Sequence, residues 1–294
     1  MLNSPLQFHR ISAKDALRQA VTQLQQARIE SASLDARLLL QHVLGMAHEA
    51  WLGGDAPLDA RQEAEFRELI GKRAGRQPVS QLTGRREFWG LCFRVTGDTL
   101  DPRPDSETLI EAALEHASHR QAALKLLDLG TGTGCLLLSL LKELPQATGI
   151  GVDISGRALD VAGENAAALG MKERAGFVQS GWGENIEGPF DIVISNPPYI
   201  PAPVIPTLAP EVSRYEPMLA LDGGADGLDA YRTILPQLPR LLAKSGVALF
   251  EIGIGQQKEV KNIAERCGLA VAGVREDLGG IPRCVIITHQ NPTE

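Results

Sequence analysis

The sequence predicts an α/β protein: a doubly wound, mostly parallel sheet preceded by a small helical bundle. Three observations lead there. Beyond about residue 100, strand-like and helix-like runs alternate along the 294-residue chain. One of those strands enters a helix through a glycine-rich turn at 130–134. The first 75 or so residues carry helical periodicity with no strand-like alternation.

The elements follow in order. Ser12-Ala13-Lys14-Asp15 has the form of a capping box, and Leu17, Ala20, Val21 and Leu24 continue it at i, i+3, i+4, i+7 spacing. A second apolar run covers Leu34 to Leu44 and stops at Gly45. A third, from about Leu58 to Arg73, sets Phe66, Leu69 and Ile70 on one face. Residues 1–80 thus read as a helical bundle too small for a rich core. From Gly84 to Val95 the pattern turns to aromatic and branched residues broken by Gly90, which predicts a β-hairpin linker over 81–100. Within 101–294, strands are expected at Leu124–Leu129, Gly149–Ile154, Gly176–Gln179, Asp191–Ser195 and Val247–Ile252. Helices are expected at Cys135–Lys142, Gly156–Leu169 and Gln256–Cys267. No internal repeat or low-complexity segment interrupts the pattern.

Composition bounds the function classes. With 44% hydrophobic and 22% charged residues, the chain reads as an ordinary globular protein. No window approaches 18 uninterrupted apolar residues, and the N-terminus lacks a basic-then-apolar leader, so a cytoplasmic protein without a membrane partner is expected. Cys92, Cys135, Cys267 and Cys284 form no CxxC pair and are expected to be reduced, mostly buried thiols. His116 and His119 share a helical stretch, but no carboxylate or cysteine cluster accompanies them, so no metal is expected. Residues 1–80 hold 10 Lys+Arg against 9 Asp+Glu, while 81–294 hold 19 against 27. An acidic second part argues against stable nucleic-acid binding. Lys72, Arg73, Arg76, Arg85 and Arg86 form the one basic cluster, equally a solvated face or a docking surface.

The glycine turn carries the first chemistry. Leu124–Leu129 runs into Gly130-Thr131-Gly132-Thr133-Gly134, and alternate glycines let the backbone turn sharply and a ligand approach without meeting a Cβ. A dinucleotide fingerprint would put its third glycine at position 135, which is Cys. The G-x-G-x-G variant after an acidic residue resembles instead the first motif of Rossmann-like methyltransferases, whose cofactor is S-adenosyl-L-methionine. Asp153 ends the next strand, where its carboxylate can accept both hydroxyls of a ribose. The plainer reading of Asp153 is a helix cap.

Asp191-Ile192-Val193-Ile194-Ser195-Asn196-Pro197-Pro198-Tyr199 carries the second. A buried strand stops at two prolines, which stiffen the segment and push Asn196 out of helical geometry. An amide nitrogen is a poor nucleophile because its lone pair is delocalised into the carbonyl. The Asn196 side-chain oxygen and a neighbouring backbone carbonyl can each accept one N–H of an incoming NH₂ group, favouring pyramidalisation as charge develops. Tyr199 can stack on the planar group. No general base is required, and no histidine stands in the motif.

Together these motifs resemble Rossmann-like N-methyltransferases of glutamine, adenine, cytosine or guanine amino groups. Further blocks narrow the resemblance: Arg86-Glu87-Phe88-Trp89-Gly90, Asp101-Pro102-Arg103-Pro104-Asp105-Ser106-Glu107, Tyr215-Glu216-Pro217, Leu221-Asp222-Gly223-Gly224, Glu251-Ile252-Gly253 with Gln256, and Arg283 after Asp277 and Gly280. With Leu34-Asp35-Ala36-Arg37-Leu38-Leu39-Leu40 they are similar to the bacterial protein-(glutamine-N5) methyltransferases of peptide-chain release factors, over nearly the whole chain. The resemblance implies a Rossmann-like methyltransferase sheet with a helical N-terminal domain joined by a hairpin. It implies S-adenosyl-L-methionine held by Gly130, Thr131, Gly132, Thr133, Gly134, Asp153, Trp182 and Asn196. It also implies a substrate glutamine at Asn196, Pro197, Pro198 and Tyr199, from a Gly-Gly-Gln loop on a class-1 release factor gripped by the bundle, whose plainer role would be a stabilising cap.

Two positions depart from that family's pattern: Asp101 stands where an aliphatic residue is usual, and Gly181 where an acidic residue precedes the tryptophan, with Glu184 a candidate replacement. The rivals are a ribosomal-protein glutamine methyltransferase, an rRNA or DNA amino-methyltransferase, and a non-enzymatic cofactor-binding protein.

Overall fold

The computed structural model describes residues 11–46, 57–117 and 122–290. The chain divides into two compact units that meet in sequence at Gly84 and Arg85.

The first unit is helical. It contains α1 (Ala13–Gln26), α2 (Ala32–Val43), α3 (Ala60–Ala74) and the short α4 (Val79–Thr83). Ser12 caps α1 through the Asp15 amide, as its sequence suggests. The full capping box belongs to α3, where Asp59 and Gln62 satisfy each other's backbone N–H groups. Leu24, Leu39, Leu40, Phe66 and Ile70 form its core. A fully buried leucine contributes roughly 2 kcal/mol, so a core this small is modest. The basic cluster is largely spent within its own units. Arg73 pairs with buried Asp35 at 2.7 Å and Lys72 with Glu68 at 2.7 Å. Arg76 donates to the Ala27 and Arg28 carbonyls, and Arg86 to the Pro102 carbonyl.

The second unit opens with β1 (Arg85–Phe88) and β2 (Leu91–Arg94), an antiparallel hairpin. Its two-residue turn is Trp89-Gly90, with φ of 50° and 61°. That is the left-handed pair a twisted hairpin favours. Then come α5 (Glu107–His116), β3 (Lys125–Leu129), α6 (Cys135–Glu143), β4 (Thr148–Asp153), α7 (Gly156–Ala168), β5 (Ala175–Gln179) and β6 (Phe190–Ser195). The short helices α8 (Pro210–Ser213), α9 (Asp229–Ile234) and α10 (Leu238–Leu241) lead to β7 (Leu242–Glu251), α11 (Gln257–Arg266), β8 (Leu269–Glu276) and β9 (Pro282–His289).

The seven long strands order as β5-β4-β3-β6-β7-β9-β8, and only β9 runs against the rest. Successive residues of the central strands point to opposite layers. Leu126, Ile192, Ile194 and Leu249 face one core with α5 and α6. Leu127, Val193, Ala248 and Phe250 face the other with α9 and α11. Burial on both faces is why these strands read as continuous apolar runs. The expected strands and helices all form, with ends shifted by a few residues. The antiparallel β8–β9 pair, α5 and the short helices are additional to the elements that the sequence predicts. The expectation of mostly buried thiols fails: Cys284 alone of the four is buried, Cys92 alternates with buried Phe93 on β2 and is exposed, and Cys135 and Cys267 are intermediate. His116 bonds the Ala112 carbonyl inside its own helix, and His119 lies outside the described residues. Among the described residues no cluster suits a metal ion, and no helix is long and apolar enough to cross a membrane.

Candidate active site

The connection from β3 goes outward to β4, whereas β6 returns on its other side, so a crevice opens where the two directions part. Leu126, Leu127 and Asp128 lie opposite Ile192, Val193 and Ile194. Two residues further on, the same register carries the chain to Gly130 on one strand end and Asn196 on the other. Ser195 reinforces the junction by donating to the Leu129 carbonyl at 2.6 Å.

A cavity of about 570 Å³ opens there. Gly130, Thr131, Gly132 and Thr133 line it from the turn; Asp153, Trp182, Asn196 and Pro198 line it from the neighbouring strand ends. Gly134, Pro197 and Tyr199 do not. Gly134 instead closes the turn onto the helices: a Cβ there would stand 3.2 Å from Leu138 and 3.3 Å from Ala162. All three glycines have positive φ, and a Cβ on Gly132 would meet nothing within 4 Å, because that side of the turn is open cavity.

Asp153 accepts from the Gly132 amide at 2.9 Å and the Ser155 amide at 2.9 Å. The cap of α7 is Ser155, through the Ala158 amide, so Asp153 is not committed to that helix's first turn. Trp182 holds a φ of 59°, an uncommon conformation for a bulky residue, and its ring lies 3.3 Å from where a Gly130 Cβ would stand. Beside it, the Glu184 carboxylate sits 3.4 Å from the position of a Gly181 Cβ. Asp101 is buried and lines the cavity, with Arg86 Nε at 4.0 Å.

The Asn-Pro-Pro-Tyr segment is held from behind. Asn196 Nδ2 donates to Ser106 Oγ at 3.0 Å, and Ser106 donates to Glu251 at 2.5 Å. The Tyr199 hydroxyl donates to the other Glu251 oxygen at 3.1 Å, and burial pushes the phenol well above its ordinary range. Gln256 clasps the same segment: its Nε2 donates to the Tyr199 carbonyl at 2.9 Å while its Oε1 accepts from the Gly253 amide at 2.9 Å. Further out, Arg103 Nη2 donates to both Glu216 oxygens, at 2.6 and 2.7 Å, and Arg283 pairs with Asp105 and Asp277, each at 3.0 Å. Burial raises Glu216 to about 7 despite that arginine. The sequence marks Ser106, Glu251, Gln256 and Arg283 as members of family-like blocks, but not as partners of Asn196 and Tyr199.

Comparison with known proteins agrees with this architecture. A family model described as PrmC N-terminal domain matches residues 15–84, and one described as Methyltransferase small domain matches residues 103–204. The release factor glutamine methyltransferase of Rhodospirillum rubrum is 47% identical over 264 residues, covering 90% of this chain and 81% of the relative. That of Cereibacter sphaeroides is 47% identical over 274 residues, covering 93% and 97%. Among solved structures, the ribosomal protein L11 methylase from Lactobacillus delbrueckii subsp. bulgaricus superposes with a TM-score of 0.50 at 19% identity, over 66% of this chain and 83% of that one. At that identity the likeness is one of fold.

Proposed function

The chain belongs to the release factor glutamine methyltransferase family, and from that premise we propose that it methylates the side-chain amide nitrogen, N5, of a glutamine in the Gly-Gly-Gln loop of class-1 peptide-chain release factors. The observation that carries the reading is the single cavity bordered by both the glycine turn and Asn196.

The residues present fit S-adenosyl-L-methionine. The cavity volume of about 570 Å³ falls within the ordinary small-ligand range. Gly132 leaves open space where any side chain would intrude. Gly130, Thr131, Gly132, Thr133 and Gly134 would form the backbone cradle, Asp153 would accept the ribose hydroxyls, and Trp182 would cover the adenine side. Glu184 brings a carboxylate to the place left empty by Gly181. When bound, the cofactor supplies a methyl group activated by a sulfonium charge.

The rest is the work of this chain's own side chains. Asn196 and a backbone carbonyl of the Pro197-Pro198 segment accept the two N–H groups of the glutamine amide. That pins the nitrogen and favours the pyramidal geometry in which its lone pair leaves conjugation. Holding two reactants in line replaces a bimolecular encounter, worth on the order of 7 kcal/mol or more at best. Tyr199, tied to Glu251 and Gln256, holds its end of the segment rigid. Positive charge on the methylated nitrogen is relieved by proton loss to water, and among the described residues no histidine lines the cavity. The helical first unit, matched by the PrmC N-terminal model, recognises the release factor.

The test is transfer of labelled methyl from S-adenosyl-L-methionine to purified class-1 release factor, with a Gln→Ala loop variant as control. Label on the intact loop alone is the expected result; label on the variant, or none on either, rejects the reading. Asn196→Ala should lower kcat at least about 100-fold while weakening calorimetric cofactor binding far less, since the glycine turn, Asp153 and Trp182 remain.

A further inference from the structure

Behind the Asn-Pro-Pro-Tyr segment runs a chain of hydrogen bonds with a direction. Glu251 is 1% exposed and Ser106 3%, so neither turns to water for a partner. Ser106 stands at the start of α5 yet makes no capping bond with its side chain. Its hydroxyl has one hydrogen, and that hydrogen is given to Glu251 Oε2. Only the lone pairs of Ser106 remain, and they accept from Asn196 Nδ2 at 3.0 Å. The NH₂ end of Asn196 is thereby turned away from the cavity that both residues line, and Oδ1 is the end left to meet a ligand.

This orientation is not intrinsic to asparagine, whose two ends have nearly the same shape. It follows from the acceptor at the root of the chain. Each Glu251 oxygen receives a hydroxyl hydrogen, one from Ser106 and one from Tyr199, so the bonds above it point inward. Its other oxygen takes the Tyr199 hydroxyl at 3.1 Å, and its backbone carbonyl takes the Tyr231 hydroxyl at 2.7 Å. Burial, with the Asp105 charge, raises the Glu251 carboxyl overall, and the Ser106 and Tyr199 donors and the Arg283 charge only partly oppose it.

We propose that Glu251, acting through Ser106, fixes the Asn196 amide with its oxygen toward the substrate, so that the site takes a carboxamide and refuses a carboxylate of the same shape. This rests on the amide-methylating reading above. Glu251 and Ser106 are positioning residues: they set which end of Asn196 the substrate meets. A glutamate side chain in the same place would set one carboxylate oxygen against Asn196 Oδ1 with no hydrogen between them.

Glu251→Gln tests the polarity directly, because it keeps the shape but can donate to Ser106, freeing the Ser106 hydrogen for Asn196 Oδ1. On the intact full chain, kcat for release factor should fall about 100-fold in Glu251→Gln and in Ser106→Ala. KM and cofactor affinity should stay within about threefold, and Ser106→Thr, which keeps the hydroxyl, should restore most of the turnover. The double variant Ser106→Ala/Glu251→Gln should be no slower than the worse single one, since both break one relay. Multiplying losses, or full turnover in Glu251→Gln, would overturn the proposal. Circular dichroism on each variant separates a lost relay from a lost fold; if Ser106→Ala unfolds, Glu251→Gln and Ser106→Thr decide alone. Failure of the wild-type protein to methylate the glutamine would instead reject the functional reading on which the relay rests.

Discussion

Asp128 sits within β3, one residue before the strand's end, beneath the glycine turn and wholly buried, with Thr131 Oγ1 donating to it at 2.6 Å. Burial raises its carboxyl from 3.8 to about 7, against the pull of that hydroxyl. The folded protein therefore holds this proton more tightly than the unfolded chain does. The resulting stabilisation is complete below about pH 4 and is lost as the pH rises toward 7. Asp128→Asn keeps an acceptor for Thr131 and removes the titration. The stability of the variant relative to wild type should increase between pH 4.5 and pH 7.5, by on the order of 2–4 kcal/mol. Urea unfolding of both proteins at the two pH values measures it; a difference that does not move with pH would count against a proton held at Asp128. The sequence makes Asp128 visible only as the acidic residue before a glycine turn. Its protonation is a property of burial, and burial comes from strands on both sides.

Elements were legible where one local signal sufficed. Leu126 and Leu127, or Ile192 to Ile194, are apolar on both faces and short, which marks central strands. The hairpin is legible in the aromatic and branched residues of 84–95 broken by Gly90, where the structure places its turn. By contrast β8 is half-exposed and shifts register near Gly273, so neither alternation nor a continuous apolar run identifies it. Helix α5 precedes the first sheet strand and lies outside the strand–helix alternation that revealed the others. Partnerships between elements were the least readable. Ser106 and Glu251 are 145 positions apart, and no spacing rule connects them. The same holds for Asn165 on α7, which accepts from the Arg94 amide at 2.7 Å and donates to the carbonyls of Arg94 at 3.1 Å and Thr133 at 2.9 Å. One buried side chain thus ties β2 and the glycine turn to a helix. Asn165→Ala leaves all three backbone groups without it, and should cost about 2–4 kcal/mol, read as a lower denaturation midpoint at unchanged slope. Cofactor affinity should weaken with it, since the Thr133 carbonyl anchors the turn. A midpoint within experimental error of wild type would show that water replaces the clamp.

At the scale of the molecule, charge is the property on which a protein substrate and a nucleic-acid one would differ. The chain carries a net charge of −7, with the acidic excess after residue 80. The cavity's own cations are engaged: Arg103 Nη2 is held by both Glu216 oxygens, and Arg157 faces Asp98 at 3.4 Å. Binding a polyanion draws its energy from releasing counterions to lysine and arginine side chains. For Arg103 that would require breaking an ion pair with the buried Glu216 carboxylate, which costs more than an exposed pair returns, whereas the Arg157–Asp98 pair is itself exposed. A fourfold mass excess of bare rRNA should therefore leave the initial rate of release-factor methylation within about twofold of the control at ~100 mM salt. Inhibition that is strong at ~50 mM salt and vanishes by ~200 mM would reveal a cationic track for phosphates. Methyl label appearing on the rRNA itself would go further, moving the Asn-Pro-Pro-Tyr site from an amide of a protein loop to the exocyclic amine of a base. The cofactor half of the site would serve either substrate; only the groups that greet the incoming nitrogen, and the charge around their entrance, differ between the two.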